Sequence, residues 1–279
     1  MNSLKVEFST AEAISFAAIN NGVHLINELY LENTADKDIL AVDISVSSTQ
    51  GIINNSTYHL DVLPKNLKID VNTLKIEIDQ KYLIALENIT DCEIVLKVIS
   101  EGKELYVQKN KVLVLPFEYW TGADVYPELT AAFITPDSID SKKIFHDALT
   151  YLKKWNKANN FIAYNGEANR VLLESAAVYS GLNDHKIEIN PIIYDNRTLG
   201  LPIRLNNVLQ TKTATITETA FLYAALLETI GLNPILAIFE KNILVGAWLD
   251  DNTFADCIND DIAELSKKSA LGEIFLIDP

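Results

Sequence analysis

The feature that constrains this chain most is a helix whose two ends are both marked in the sequence. Thr215-Ile216-Thr217-Glu218 has the spacing of a capping box, in which Thr215 is the N-cap and Glu218 reaches back to it. Ile216 is then the first helical residue. Apolar side chains recur at helical spacing from there, at Ile216, Ala220, Tyr223, Leu227 and Ile230. Gly231 stands where a left-handed C-cap is expected, and Pro234 is predicted to start a strand.

Residues 4 to about 115 alternate between short apolar runs and turn signals, which is typical of β-strands. Asn33-Thr34-Ala35-Asp36 and Glu101-Gly102 are two of the turn signals. The predicted strands cover 4–8, 23–32, 39–47, 67–69, 73–78, 92–99 and 104–115, with a short helix at 81–89. We therefore predict a first domain over residues 1–115 that is an immunoglobulin-like β-sandwich.

From Pro116 onward helices and strands are mixed, which predicts a second domain over residues 116–279 and an α+β fold class. Helices are expected at 141–157, 167–180 and 260–269, and Gly181 is expected to end the second of them. Strands are expected at 235–239, 243–249 and 273–277.

Several segments of this second domain resemble a known family. They are Tyr223-Ala224-Ala225-Leu226-Leu227-Glu228, Gly231-Leu232-Asn233-Pro234 and Val245-Gly246-Ala247-Trp248-Leu249, with less specific matches at Tyr119-Trp120-Thr121-Gly122 and over 127–136. These segments are similar to the uncharacterised transglutaminase-like domain, of papain-type fold, at the N-terminus of very large bacterial helicase and nuclease proteins. The resemblance implies that residues 116–279 form a papain-like α+β domain.

The same resemblance locates three positions of a catalytic site. In the family the helix begins Gly-Thr-Cys-Leu-Asp and a following strand reads Gly-His-Ala-Phe-Val-Gly. Aligned without gaps, this chain has Ile216 at the cysteine position and Asn242 at the histidine position. Asp278-Pro279 resembles the Asp-Pro that ends the acid-bearing strand, although an Asp-Pro pair also ends strands without any catalytic role. We expect Ile216 and Asn242 to face each other.

The two replacements remove the chemistry that such a site needs. A thiolate at a helix N-terminus is stabilised by unpaired amide groups and requires an imidazole to take its proton and return it. Isoleucine has no nucleophilic atom, and asparagine cannot cycle a proton near neutral pH. No Cys, Ser or His lies between Gly200 and Gly246. The sequence therefore predicts a domain that is not an enzyme.

Charge and composition restrict the partners. The net charge is -15, with 38 acidic and 23 basic residues and no basic run, so we expect no direct binding of nucleic acid. One group of lysines is predicted to be the solvated face of a helix: Lys142, Lys143, Lys153, Lys154 and Lys157. No residue pattern points to a cofactor or a metal, and no apolar run is long enough to span a membrane.

Compartment and chain ends give two further expectations. Cys92 and Cys257 fall in different predicted domains, so no disulfide is expected, and a reducing, cytoplasmic location fits. The chain ends at Pro279, where a papain-like sheet normally continues. It is therefore either a fragment of a longer polypeptide or a short relative of the family.

Three functions fit these observations. The first is an inactive module that binds a protein partner, either a helicase or nuclease subunit or further domains of a longer chain, in a system of defence against foreign DNA. The second is an enzyme with relocated chemistry, in which Cys257 is the nucleophile and Asp256 or His185 assists. The third is a pseudo-enzyme whose old cleft, around Ile216, Asn242 and Asp278, still holds a peptide or an amide side chain.

Overall fold

A computed structural model describes residues 4–54, 56–71, 75–123, 126–156, 158–190, 200–240 and 242–279. The chain is 33% helix and 34% strand in several sheets, which confirms the α+β fold class. Its contacts divide it into two compact units, Met1–Tyr119 and Trp120–Pro279. The boundary predicted at residues 115 and 116 lies a few residues before this division.

The first unit is built mainly of strands. They are β1 (Leu4–Thr10), β2 (Ala13–Ile14), β3 (Ile26–Asn33), β4 (Ile39–Ser48), β5 (Ser56–Leu63), β6 (Lys68–Asp70), β7 (Thr90–Ser100) and β8 (Lys103–Val114), with two short helices, α1 (Phe16–Asn20) and α2 (Gln80–Ala85). Five strands form one sheet in the order β2-β8-β7-β4-β5, and three form another in the order β1-β3-β6. All pairs are antiparallel except β2 with β8.

The two sheets of the first unit share one hydrophobic core. On β4, Val42, Ile44 and Val46 are fully buried and alternate with half-buried polar residues, as period-two patterning requires. Leu29 and Leu31 of β3 bury their side chains in the same cluster. At about 25 cal/mol per Å² of apolar surface, burial of this kind is the main favourable contribution to the folding of such a unit.

Two strand predictions in the first unit were incomplete. No strand was predicted at 56–63, because most side chains of β5 are exposed and the expected alternation is weak. Residues 75–78 form no strand, and only Ile78 makes an isolated bridge, to Ile53. The rest of the strand predicted at 73–78 lies outside the described residues.

The second unit mixes helices and short strands. After β9 (Tyr119–Trp120) come α3 (Lys142–Asn156), α4 (Ala168–Asn183), β10 (Glu188–Asn190), β11 (Leu201–Pro202), α5 (Leu205–Thr211), β12 (Thr213–Thr215), α6 (Ile216–Thr229), β13 (Pro234–Ile238), β14 (Ile243–Trp248), α7 (Ile262–Ala270) and β15 (Ile274–Ile277). Three 3₁₀ turns lie at Pro127–Phe133, Pro136–Ser138 and Ala163–Asn165. One sheet has the antiparallel order β13-β14-β15, and β10 pairs in parallel with β12.

Helix α6 lies at the centre of the second unit, and every residue from Thr219 to Leu227 is buried. A helix that is buried around its whole circumference needs partners on every side. Phe221 packs edge-on against Trp120, with ring centroids 5.1 Å apart. The Tyr223 hydroxyl donates to the Ser175 carbonyl of α4 at 3.0 Å, and burial raises the Tyr223 pKa.

A buried ion pair fixes the segment that enters α4. Glu174 is fully buried, and its carboxylate accepts from Arg170 Nε at 2.7 Å and from the backbone N–H groups of Ile162 and Ala163 at 2.9 and 3.0 Å. From the same segment, the Tyr164 hydroxyl accepts from the Asn233 N–H at 2.8 Å. The carboxylate therefore ties α4, indirectly, to the connection between α6 and β13.

The prediction that Gly181 ends α4 was wrong, because the helix continues through it to Asn183. A Cβ atom at Gly181 would lie 2.6 Å from the Ile144 carbonyl oxygen and 3.0 Å from the Ala148 nitrogen of α3. Glycine is needed at this position because it allows α3 and α4 to approach closely, not because it stops the helix.

Gly246 is required by the sheet for a similar reason. It lies on β14 between Ile235 of β13 and Leu276 of β15, and a Cβ atom there would stand 1.6 Å from the Phe275 carbonyl oxygen. The backbone of β15 would have to move for any other residue to fit. A glycine inside a strand commonly marks such a close approach.

We predict that Gly246→Ala displaces β15 and costs about 1–3 kcal/mol, the usual range for overpacking. Hydrogen exchange should show lost protection of the β15 amides. Gly102→Ala is the control: its φ of 77° makes alanine strained there too, but a Cβ atom meets nothing within 4 Å and the residue lies in the other unit, so the protection of β15 should not change. Unchanged β15 protection in Gly246→Ala would contradict the pairing of Gly246 with Leu276.

Candidate functional site

The start of α6 is the predicted capping box. The Thr215 hydroxyl accepts from the Glu218 N–H at 3.1 Å, and the Glu218 carboxylate accepts from the Thr215 N–H at 2.9 Å. Its other oxygen accepts from the Arg204 N–H at 3.1 Å. The predicted N-cap, first helical residue and C-terminal Gly231, which has a positive φ of 87°, are all confirmed.

Ile216 is the first residue of α6 and is half-buried. Its neighbour Thr217 is 1% exposed, and the Thr217 hydroxyl is a buried polar atom without a hydrogen-bond partner among the described residues. Neither side chain carries a thiol, and Ile216 carries no polar atom. The first two positions of α6 therefore offer no thiol for the helix start to stabilise.

Asn242 lies in the hairpin between β13 and β14. Its side-chain oxygen accepts from the Ile243 N–H at 2.9 Å, and its carbonyl oxygen accepts from the Phe239 N–H at 2.8 Å. Both oxygens thus serve the turn itself. Asparagine is a common turn residue because its side chain bonds to nearby backbone in this way.

Asp278 directly follows β15 and is exposed. Among the described residues its carboxylate makes no hydrogen bond and no ion pair. Because Ile277 pairs with Val245 near the start of β14, Asp278 lies at the same end of the sheet as the hairpin that contains Asn242. This position fits both interpretations of the Asp-Pro pair: that Asp278 corresponds to the catalytic acid of the family, or that the pair only ends the strand.

The sheet brings two of the three positions to one end, because Asp278 follows the residue paired with Val245 and Asn242 directly precedes β14. Ile216 begins α6, the helix that packs against β13 and β14. Among the described residues, however, no hydrogen bond or ion pair joins the three positions, so the structure contains no acid–amide pair that imitates the acid–imidazole pair of a cysteine hydrolase.

A cleft of about 230 Å³ opens beside the same helix start. It lies between β10, α5, β12 and the first turn of α6, and none of the three predicted positions lines it. Its exposed lining is partly polar and partly apolar, with the apolar share somewhat larger. The polar groups are a guanidinium, a carboxylate and several hydroxyls and amides, and the lining residues are Asn190, Arg204, Asn207, Val208, Thr211, Thr213, Ala214, Thr215 and Glu218. Such a mixed lining is typical of sites that hold a ligand with both polar and apolar parts.

The cleft residues on α5 were missed at the sequence level, because no helix was predicted at 205–211. The signal was present but short. Leu205 and Val208 are apolar at helical spacing and are buried at 3% and 1% exposure, while Asn207 and Thr211 are exposed on the side that lines the cleft. A helix of two turns leaves too few repeats to distinguish its period from that of a strand.

His185 contacts the C-terminal end of α5. Its Nδ1 lies 3.0 Å from Lys212 Nζ, and Lys212, with a left-handed φ of 59°, is the C-cap of α5. Lys212 carries a charge, so Nδ1 accepts and the proton of the neutral ring lies on Nε2, which is buried. Burial and then the Lys212 charge lower the His185 pKa below 6.5.

The alternative site was predicted at Cys257, with Asp256 or His185 as its helper. Cys257 is exposed in the loop that precedes α7. The Nδ1 of its proposed helper His185 is bound to Lys212 instead, so the described residues show no thiol–imidazole pair. A second cleft, of about 270 Å³, lies in this loop: Phe254, Ala255, Asp256, Ile258, Asn259, Asp260 and Glu264. Cys257 does not line it.

No protein-family model, curated protein or solved structure matches this chain. In the described part of the chain, no group of three or more His, Cys, Asp or Glu side chains is arranged to hold a metal ion. No helix there has the length and the apolar composition needed to cross a membrane. Any function of the site therefore has to be inferred from its geometry.

We predict that Thr215→Ala lowers the free energy of unfolding by about 1 kcal/mol, because it removes the acceptor for the Glu218 N–H. Thr215→Ser keeps a hydroxyl at the same place and is the matched control. Urea unfolding of both variants gives the comparison. Equal stability of the Ala and Ser variants would show that the capping box contributes nothing.

Acid should destabilise the second unit through His185. Its pKa is lowered in the folded state, so the unfolded chain binds more protons as the pH falls below 6.5. The stabilising contribution is therefore complete above pH 6.5 and is lost as the pH falls toward the folded pKa. Urea unfolding on either side of pH 6.5 should show a larger loss in the native chain than in His185→Gln. An equal loss in the two proteins would exclude this role.

Proposed function

We propose that the second unit is a catalytically inactive transglutaminase-like domain of papain-like fold that serves as a binding module, and that the first unit is a β-sandwich. The observation that carries this proposal is the start of α6. Thr215 and Glu218, which build the helix start, match the threonine and the acid of the family motif, and Ile216 replaces its nucleophile. Asn242, where the family has histidine, bonds its own hairpin.

The partner we propose is a protein, either a helicase or nuclease subunit or further domains of a longer chain, in a cytoplasmic system of defence against foreign DNA. This part of the proposal depends on the family resemblance. The charge of -15 supports a protein partner rather than direct contact with nucleic acid, because duplex binding requires clustered Lys and Arg. The lysines of α3 that the structure describes are exposed around a buried apolar stripe and fit a solvated face.

A second candidate is a ligand-binding pseudo-enzyme that holds a peptide or an amide side chain. It is favoured by one specific observation, the cleft of about 230 Å³ beside the start of α6. The cleft contains both a donor set, at Arg204 and Asn207, and the Glu218 carboxylate. Binding there would require no proton transfer and would therefore tolerate the loss of cysteine and histidine.

The placement of the pseudo-site can be tested by restoring it. In a Cys257→Ser background, Ile216→Cys puts a thiol at the start of α6, where amide groups and the helix dipole favour the thiolate. Adding Asn242→His should lower the thiol pKa further if the two positions face each other. The pH dependence of iodoacetamide alkylation measures this pKa, and Cys92 is buried and should react slowly.

Two outcomes of the alkylation experiment are informative. A thiol pKa that falls in Ile216→Cys and falls again in the double variant supports the degenerate-site proposal. A thiol whose pKa is the same with and without Asn242→His overturns the facing arrangement. Leu244→His is the matched control, because it adds an imidazole two residues further along the chain, on β14, at a position that the resemblance does not assign to catalysis.

The binding role requires a separate experiment. Tagged protein should recover a helicase or nuclease subunit from the native host, identified by mass spectrometry. A variant with Asn207→Lys and Thr211→Lys changes the lining of the cleft. If this variant still recovers the same subunit, the partner binds a surface outside the cleft. Recovery of neither class of subunit would contradict the proposed partner.

A further inference from the structure

The chain has two Asn-Gly pairs, Asn21-Gly22 and Asn165-Gly166. In such a pair the backbone nitrogen of the glycine can attack the side-chain amide carbon of the asparagine, because a residue without a Cβ atom leaves this approach open. The two groups belong to adjacent residues, so the reaction is intramolecular and closes a five-membered ring. Both asparagines are exposed, but the attacking nitrogen is bonded differently in the two pairs.

The first pair is held by the end of α1. The Gly22 N–H donates to the Ile19 carbonyl at 3.2 Å. Asn21 Nδ2 donates to the Ala17 carbonyl at 2.8 Å, which fixes the side-chain amide against the helix end. A hydrogen bond donated by an N–H group favours its protonated form and so opposes the loss of its proton. The structure therefore protects Asn21 from attack by the Gly22 nitrogen.

The second pair lacks this protection. Asn165 ends the 3₁₀ turn Ala163–Asn165, and Gly166 follows it with an extended backbone, at φ -112° and ψ -177°. Gly166 is partly exposed, and no described residue accepts a hydrogen bond from its N–H. Asn165 Nδ2 makes one hydrogen bond, to the Ile162 carbonyl at 3.1 Å. The attacking nitrogen of this pair can therefore lose its proton to hydroxide from the solvent.

We propose that Asn165 is a site of spontaneous modification, at which water converts the side-chain amide to a carboxylate. The Gly166 nitrogen gives its proton to hydroxide and forms a bond to Asn165 Cγ. The bond between Cγ and Nδ2 breaks, and the leaving nitrogen takes a proton from water and departs as ammonia. Water then opens the resulting succinimide at either carbonyl carbon, which gives aspartate or isoaspartate. The proposal does not depend on the inactive-domain proposal, because no catalytic side chain takes part.

Modification at Asn165 changes the contacts of the segment that enters α4. A carboxylate accepts but does not donate, so the hydrogen bond to the Ile162 carbonyl is lost and two oxygen atoms face each other. Isoaspartate adds a methylene to the backbone before Gly166, where even a Cβ atom would lie 2.9 Å from Arg170 Cγ. Ile162 and Arg170 both bind the buried Glu174 carboxylate. The modification therefore weakens the contact of this segment with Glu174.

Incubation of the full chain at mildly alkaline pH, followed by digestion at acidic pH and peptide mass spectrometry, tests the site. In the native protein we expect conversion at Asn165 to be several-fold faster than at Asn21. The matched control is the same chain unfolded in guanidinium chloride, in which both pairs lose their structural environment and should convert at similar rates. Conversion at Asn165 that is no faster than at Asn21 in the native protein, or a ratio that unfolding does not change, overturns the proposal.

Asn165→Asp tests the structural effect, because it places the carboxylate of one product at this position. Hydrogen exchange of the Ile162 and Ala163 amides, which both donate to Glu174, should become several-fold faster. Asn21→Asp is the matched control: it removes the same kind of hydrogen bond in the first unit and should leave the exchange of these two amides unchanged. Equal exchange of the two amides in Asn165→Asp and in the native chain overturns the proposed effect on the contact with Glu174.

Discussion

The second unit depends on the burial of α6, which is complete from Thr219 to Leu227. A helix without a solvent-facing side cannot adjust its rotation or its ends independently of its neighbours, so both ends must be fixed by polar contacts. At the start, Glu218 satisfies the N–H groups of Thr215 and Arg204. At the end, the connection to β13 is held by the Tyr164 hydroxyl, whose segment is bound by the buried Glu174 carboxylate.

This arrangement explains why the fold requires Thr215 and Glu218, the two residues that match the family motif in the proposed resemblance. Thr215 and Glu218 determine where the helix begins, and removing either would leave backbone donors unsatisfied near a buried helix. The side chain of the first helical residue takes no part in the capping box, so it is not needed to fix the helix start. The motif residues that hold the fold and the residues that perform the chemistry are therefore separable at this helix start.

Local signals in the sequence were sufficient where the structure is locally determined. The boundaries of α6 follow from Thr215, Glu218 and Gly231, each of which acts within one helical turn. Gly181 was misread because its role depends on Ile144 and Ala148 of α3, which lie more than thirty residues earlier in the chain and whose approach no local pattern reveals. Strand β5 was missed because most of its side chains are exposed and lack the alternation that burial imposes. The candidate site divides in the same way: the strand register brings Asp278 to the hairpin of Asn242, whereas the cleft is made concave only by the packing of four separate elements.

Under the proposed resemblance, the two replacements cost the fold little. Isoleucine at the first position of a helix makes no demand on the backbone, and its half-buried side chain adds apolar contact where a charged thiolate would require stabilisation. Asparagine is well suited to a hairpin, where its side chain bonds the next N–H. Both positions are therefore structurally satisfied without catalytic side chains, which makes the proposed role as a binding module compatible with this fold.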